Sequence, residues 1–308
     1  MERGGVDCRG PPALAVTKGQ MSNLVRLVGA ELGLPADPRV VAVARAIAAQ
    51  YGPASRAVLF YGSCLRESEL DGRMLDFYLI VSDYRAAFRS IWLAAANALI
   101  PPNVFYFEHD RLVAKYAVLS EADFARLCGP ETSNVSVWAR FAQPARLVWA
   151  ADSGARDSAV AAIAQSAPTL LAAAGEHTGE APLDWWRRAF ALTYSAELRA
   201  ERTGRAASVV DLDRARYELF SNPAIAVTRK LEGKVSTRWR WRRFEGKGLS
   251  VIRLAKASLT FAGGPEYIAW KINRHAGTAI ELKPWQRRHP LLAALSLLPQ
   301  LLKSGAVR

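Results

Sequence analysis

A glycine and a serine at positions 62 and 63 end the apolar run Ala57-Val58-Leu59-Phe60-Tyr61, and a carboxylate, Asp76, opens the next one, Met74-Leu75-Asp76-Phe77-Tyr78-Leu79-Ile80-Val81. These residue types suit a nucleoside triphosphate. A glycine lets the backbone approach phosphate oxygens, a serine offers its amide and hydroxyl as donors, and an aspartate is a hard oxygen ligand for Mg²⁺. Attack on an α-phosphorus adds negative charge, which bound metal and fixed donors neutralise. The plainer account is a Gly-Ser turn beside an ordinary strand aspartate. Against it, Phe77 to Val81 is too apolar to leave Asp76 in a loop, and a carboxylate inside a buried strand needs a partner.

Flanking elements must hold these residues in place. Strands are expected at about 57–61 and 75–81. Residues 22–51 read as helical, with Val25, Val28 and Leu32, then Val40, Val43 and Ile47, at helical spacing, interrupted by Pro35 and Pro38. Tyr84 to Leu99 reads as a connecting helix stopped by Pro101-Pro102. Val104 to Phe107 and Leu112 to Leu119 form a hairpin around His109-Asp110, and Ala145 to Ala150 offers one more strand. Residues 155–220 read as Ala-rich helix with a loop near 175–180. The fold class is α+β: a small mixed sheet with helices, then a helical region.

The 308 residues are enough for two domains, and 51% hydrophobic content builds sizeable cores. Cys8, Cys64 and Cys128 are widely spaced and the four histidines show no zinc spacing, which argues against a disulfide framework or structural zinc and for a reducing compartment. No segment has the length and apolarity of a signal peptide or a membrane span, and Met21 is a second candidate start. A formal charge of +13 and a pI near 10.0 call for a polyanionic partner, nucleic acid or an anionic membrane surface.

Arg229 to Gly248 carries eight basic residues against two acidic ones. Within it Arg238-Trp239-Arg240-Trp241-Arg242 alternates, which on a strand would place arginines on one face and tryptophans on the other. That pattern suits a solvated strand over a core, a lipid headgroup interface, or single-stranded nucleic acid. The C-terminal segment Leu291 to Lys303, behind Arg287-Arg288-His289, is apolar, too short to span a bilayer and broken by Pro299, and so fits the membrane interface or a docked helix. A nucleic-acid enzyme has no need of such a tail, which argues against nucleic acid as the partner. No dinucleotide fingerprint or Gly-x-x-x-x-Gly-Lys-Ser/Thr loop is present, and His109-Asp110 reads as a hairpin turn rather than a metal-hydrolase pair.

Tyr61-Gly62-Ser63, Met74-Leu75-Asp76-Phe77 with Asp83, Lys115-Tyr116-Ala117-Val118 and Ala139-Arg140-Phe141-Ala142-Gln143-Pro144, in that order, resemble the mitochondrial-type phosphatidate cytidylyltransferases of the translocator assembly and maintenance family. The resemblance continues through Leu192 to Arg199 and Lys256 to Gly263, covering most of the chain. It implies a nucleotidyltransferase domain, a helical winged-helix-like domain and a membrane-associating C-terminal segment, here expected at 21–152, 153–260 and 261–308 behind a flexible extension at 1–20.

The same resemblance implies Mg²⁺-dependent formation of CDP-diacylglycerol from CTP and phosphatidic acid, at the cytoplasmic face of a bacterial inner membrane. Gly62, Ser63 and Tyr61 would cradle the CTP phosphates, Asp76 would hold the metal, and Lys115 would neutralise phosphate charge. Arg140 and Gln143 would edge the site, and Tyr194, Ser195, Arg199, Lys256 and Ser258 would close over it from the second domain. One departure concerns the metal: many nucleotidyltransferases carry Asp-x-Asp, whereas here Met74 and Tyr78 flank Asp76. Asp83, Glu108 and Asp110 are the candidates for a second ligand. The segment after the carboxylate strand is also Ala-rich, with only Ser90 and Asn97 where the family is rich in polar side chains, which bears on the acceptor.

Overall fold

The computed structural model describes residues 13–65, 69–176, 179–196, 209–228, 235–260 and 283. Two helices come first, α1 (Ala13–Leu32) and α2 (Pro38–Ala49), separated at the expected prolines. Asp37 fixes the start of α2: its side chain accepts from the Arg39 amide, and Pro38 occupies the first helical position, where no backbone donor is needed. Because α1 begins at Ala13, residues 13–20 are helix rather than flexible extension.

Five strands form one mixed sheet: β1 (Ser55–Tyr61), β2 (Met74–Val81), β3 (Asn103–His109), β4 (Leu112–Ser120) and β5 (Ala145–Ala150), in the order β3-β4-β2-β1-β5. β2 lies antiparallel to β1 and parallel to β4. The β3–β4 hairpin turns at Asp110 and Arg111, whose φ values of 47° and 65° lie in the left-handed region such a tight turn demands.

Between the strands lie short helices. The helix expected over 84–99 is two pieces, α3 (Tyr84–Ala87), capped by Asp83, and α4 (Ile91–Leu99). After β4 come α5 (Glu121–Cys128), capped by Ser120, and α6 (Trp138–Phe141). The second half contributes α7 (Ser153–Ala164), α8 (Ser166–Ala174), α9 (Pro182–Ala196), α10 (Arg214–Val227) and α11 (Val235–Thr260), and its described residues include no strand.

The alternation of each strand sends side chains to two cores. One face of the sheet, with Leu59, Tyr78, Ile80, Ala117 and Leu119, merges with α1 and the helices of the second half into a continuous apolar cluster. The other face, with Phe60, Phe77, Leu79 and Val118, packs beneath α2. Cys64 and Cys128 are buried, and neither forms a disulfide among the described residues. No helix among the described residues is long and apolar enough to cross a membrane.

Arg238 to Arg242 is helical, inside α11, and not a strand. Trp239 is fully buried and donates from Nε1 to the Ala173 carbonyl at 2.8 Å, whereas Trp241 is exposed. Two residues two apart lie about 200° around a helix, so the alternation separates the tryptophans instead of aligning them.

Candidate nucleotide site

Register alone brings Tyr61, Asp76 and Lys115 side by side. Asp76 on β2 pairs with Tyr61 on β1 and with Lys115 on β4, and residues directly opposite in a sheet point to the same face. Further along the strands, at Tyr78, Ile80, Ala117 and Leu119, that face is buried in the main core, so the polar row marks the edge of the core. Lys115 Nζ stands 2.9 Å from Asp76 Oδ1. The contact is an ion pair without the alignment of a hydrogen bond, and it leaves Oδ1 sealed from water with no hydrogen-bond donor.

Gly62 follows directly and closes over the carboxylate. Its φ of +95° is costly for any side chain, and a Cβ there would stand 2.9 Å from Asp76 Oδ2. The glycine is therefore required twice, by conformation and by proximity. Ser63 is exposed at the start of a one-turn 3₁₀ segment (Ser63–Leu65), where the Leu65 amide donates to the Gly62 carbonyl at 3.2 Å. The turn thus presents a serine and a close-packed backbone beside a carboxylate and an ammonium.

A third charged group arrives from α6. The Arg140 guanidinium lies over the Tyr61 ring, 4.6 Å from its centroid, so the tyrosine opposite Asp76 also carries an arginine on its face. Gln143 turns back on its own helix, donating from Nε2 to the Ala139 carbonyl at 3.0 Å. This segment is held from behind by Arg216 on α10, which donates to the Ala142 carbonyl at 3.0 Å while forming a buried ion pair with Glu31 of α1. Sequence reading missed Arg216. It sits in an unremarkable Arg-Ala-Arg-Tyr stretch and acts 74 residues away in the chain.

Several expected residues are not brought to this cluster. Asp83 lies past the far end of β2, some 17 Å of strand beyond Asp76 at the usual rise, and its side chain caps α3 by accepting from the Ala86 amide at 2.8 Å. Glu108 shares the face of Asp76 but lies two strands away and two residues off its row, about 12 Å at the usual spacings, exposed and accepting from the Tyr106 hydroxyl at 3.3 Å. Asp110 is in the hairpin turn, 3.5 Å from His109. Among the described residues no set of three carboxylate, histidine or cysteine side chains gathers.

The second-half residues divide similarly. Lys256 donates to the carbonyls of Ala96 and Ile100, neutralising the C-terminal end of α4. That junction leads into Asn103, which pairs with Val118, so Lys256 sits toward the opposite end of the sheet from Asp76. Burial, with Arg253 nearby, pushes its ammonium down to about 8. The Ser195 hydroxyl donates to the Leu192 carbonyl at 2.6 Å, and Tyr194 packs against the main core. Arg199 lies outside the described residues, as do the side chain of Ser258 and the C-terminal segment from 284 onward.

The donor set suits Mg²⁺. The ion is commonly held by one or two carboxylates with substrate phosphates and water supplying the rest. Asp76, with one oxygen lacking a hydrogen-bond donor and with Lys115 as a displaceable counter-charge, fits as the single protein carboxylate of such a site.

No family model and no curated protein matches the chain. Among solved structures, a nucleotidyltransferase-like protein from Exiguobacterium sibiricum 255-15 is similar at 10% identity, over 86% of this chain and 92% of that one, with a TM-score of 0.27.

Proposed function

We propose that the chain is a Mg²⁺-dependent nucleotidyltransferase that transfers CMP from CTP to the phosphate of phosphatidic acid, releasing pyrophosphate, at an anionic membrane surface. The observation that carries the transferase reading is the closure of Gly62 onto Asp76 with Lys115 in ion-pair contact. The sequence resemblance supplies the base and the acceptor.

In this reading an oxygen of the acceptor phosphate attacks the α-phosphorus while the bond to the bridging oxygen of the β-phosphate breaks. The acceptor is ionised near neutral pH, so the site needs alignment and charge neutralisation more than a strong base. Mg²⁺ bound at Asp76 would neutralise the triphosphate and polarise the reacting phosphoryl group. Lys115, released from Asp76, would turn to the triphosphate oxygens as a compact donor. The Gly62-Ser63 turn would bring the backbone against the phosphates, and Arg140 would add positive charge from above Tyr61.

Membrane action is supported by α11, where Trp241, Phe244 and Ile252 are exposed and Arg240 is exposed beside them. Aromatic rings next to cations suit an anionic headgroup layer.

The test is incubation of the full chain with radiolabelled CTP, Mg²⁺ and extracted lipids, followed by thin-layer separation. A chloroform-soluble labelled product that disappears in Asp76→Asn is expected. Label incorporated into RNA instead would identify a nucleic-acid nucleotidyltransferase. A chain that binds no Mg²⁺-CTP would be a membrane-associated scaffold, a reading that the missing Asp-x-Asp partner of Asp76 permits.

A further inference from the structure

Arg242 is 6% exposed, yet what its guanidinium meets is aromatic: the Trp239 ring at 5.3 Å and the Trp138 ring at 5.9 Å. Its Nη1 is sealed from water and has no hydrogen-bond acceptor. Trp138 Nε1 is likewise buried without an acceptor. Two buried donors in one neighbourhood therefore each lack an acceptor. Arg238, one turn earlier on α11, adds positive charge, and Glu245, one turn later, draws on Arg242 only at longer range. Desolvation first, and then Arg238, push the guanidinium down to about 10.

Such an arrangement is unfavourable in the absence of a ligand. A guanidinium removed from water strains stability unless an anion and hydrogen bonds compensate. A buried structural arginine elsewhere in this chain shows the contrast: Arg216 has the Glu31 carboxylate and the Ala142 carbonyl. Arg242 has two indole faces, the like charge of Arg238, and the Glu245 carboxylate one turn away, which attracts it without a hydrogen bond.

Its position also matters. The four-residue α6 carries Trp138 against Arg242 and Arg140 over Tyr61, so one helical turn borders both Arg242 and the row containing Asp76. None of the residues assigned to the triphosphate is used by Arg242. The guanidinium fork matches the oxygens of a phosphate, and two arginines suit a dianionic one.

We propose that Arg242, with Arg238 and the Trp138 indole N–H, seats the phosphomonoester of the acceptor substrate. The assignment rests on the nucleotidyl-transfer reading for its role and, for its chemistry, on the buried, acceptor-free Nη1 of Arg242 and Nε1 of Trp138. The phosphomonoester belongs either to a lipid or to a soluble glycerol phosphate, and the two sources are separable by experiment.

The full chain and the variants Arg242→Met and Asp76→Asn are titrated by thermal unfolding with glycerol 3-phosphate, with detergent-dispersed phosphatidic acid, with inorganic phosphate and with Mg²⁺-CTP. Both phosphomonoesters are expected to stabilise the wild type; a response to the lipid at far lower concentration assigns the lipid source, and equal responses assign the soluble one. Arg242→Met is expected to unfold no earlier than wild type without ligand, to keep its Mg²⁺-CTP response, and to need at least about tenfold more phosphomonoester, the effect of losing a charged hydrogen bond. Asp76→Asn is expected to show the reverse pattern. A wild type that ignores phosphomonoesters or answers inorganic phosphate alone overturns the proposal, as does an unchanged half-saturation in Arg242→Met. A methionine variant that fails to fold also overturns it, because Arg242 would then be a structural residue. Loss of the Mg²⁺-CTP response in wild type, with the phosphomonoester response intact, removes the nucleotidyl reading and leaves the anion site standing.

Discussion

Lys115 and Asp76 occupy paired positions on adjacent parallel strands, with Nζ 2.9 Å from Oδ1, so the ammonium holds a carboxylate oxygen that a metal would claim. The side chains are 29% and 21% exposed, and a partly solvated pair of this kind contributes about 1 kcal/mol or less. Function and stability are separable here. Asp76→Asn is expected to unfold within a few degrees of wild type and to lose turnover of CTP into lipid by on the order of 10³, the scale of losing a main charge-stabilising group. Near-normal turnover in this variant would remove Asp76 from the metal site.

Competition at Oδ1 leads to a different expectation for the lysine. Lys115→Met frees the carboxylate, so binding of Mn²⁺, as a spectroscopic substitute for Mg²⁺, should tighten in the absence of nucleotide. Turnover should nevertheless fall by on the order of 10², because a donor to the triphosphate is gone. Electron paramagnetic resonance titration reads the first effect and the lipid assay the second. Weaker Mn²⁺ binding in this variant would mean that the lysine supports the metal instead of displacing it.

Gly62→Ala separates proximity from backbone strain. Both Gly62 and Gly72 have positive φ, +95° and +69°, but an added Cβ meets Asp76 Oδ2 at 2.9 Å in the first case and open space in the second. Each alanine variant is expected to lose roughly 1–3 kcal/mol in chemical denaturation. Only Gly62→Ala should also abolish turnover, since its methyl displaces the carboxylate. Equal activity in the two variants would mean that the Gly62 contact has no functional part.

How far the sequence spoke depends on the length of the chain segment involved. The apolar runs around Asp76 and Lys115 were legible as strands because a buried strand needs continuous hydrophobic residues, and the observed β1, β2, β3, β4 and β5 follow. The resemblance implies a phosphate-neutralising role for Lys115, but its ion pair with Asp76 depends on register across β2 and β4, which no local pattern encodes. Arg238 to Arg242 misled because period-two alternation over five residues also occurs in helices, and the 26-residue α11 overrode it. Asp83 and Lys256 enter the expected site through the motifs of the family resemblance. Helix termini compete for the same groups, a carboxylate at α3 and an ammonium at α4. Arg216 and Arg242 act through contacts formed only in the folded chain.

The ammonium of Lys256 makes stability depend on alkaline pH. Its folded value is depressed to about 8 from an ordinary 10.5, chiefly by burial. Between these values the unfolded chain binds the proton more readily, so stability should rise with pH across this window and fall back as pH drops toward 8. Lys256→Met lacks this component. The urea midpoint of wild type relative to the variant is therefore expected to climb from pH 8 to pH 10. A flat difference would indicate an ammonium with an ordinary affinity for protons.

Exposed aromatic side chains on α11 offer a test of membrane contact that leaves the C-terminal segment intact. Trp241 and Phe244 are 62% and 76% exposed with ring centroids 6.1 Å apart, one turn from each other on the helix, with exposed Arg240 alongside. Neither ring fills the core, so the double change Trp241→Ser with Phe244→Ser should leave the unfolding temperature unchanged. Sedimentation with vesicles containing anionic lipid should weaken by roughly tenfold or more as two apolar side chains are withdrawn from the interface. Wild-type binding should also fall as salt screens the arginines. Activity on detergent-dispersed substrate is expected to persist, because Asp76, Lys115 and Gly62 are untouched. If vesicle binding survives the double change, the membrane contact lies on another surface; if detergent activity falls in step with binding, this face of α11 belongs to the catalytic assembly and not to a membrane anchor.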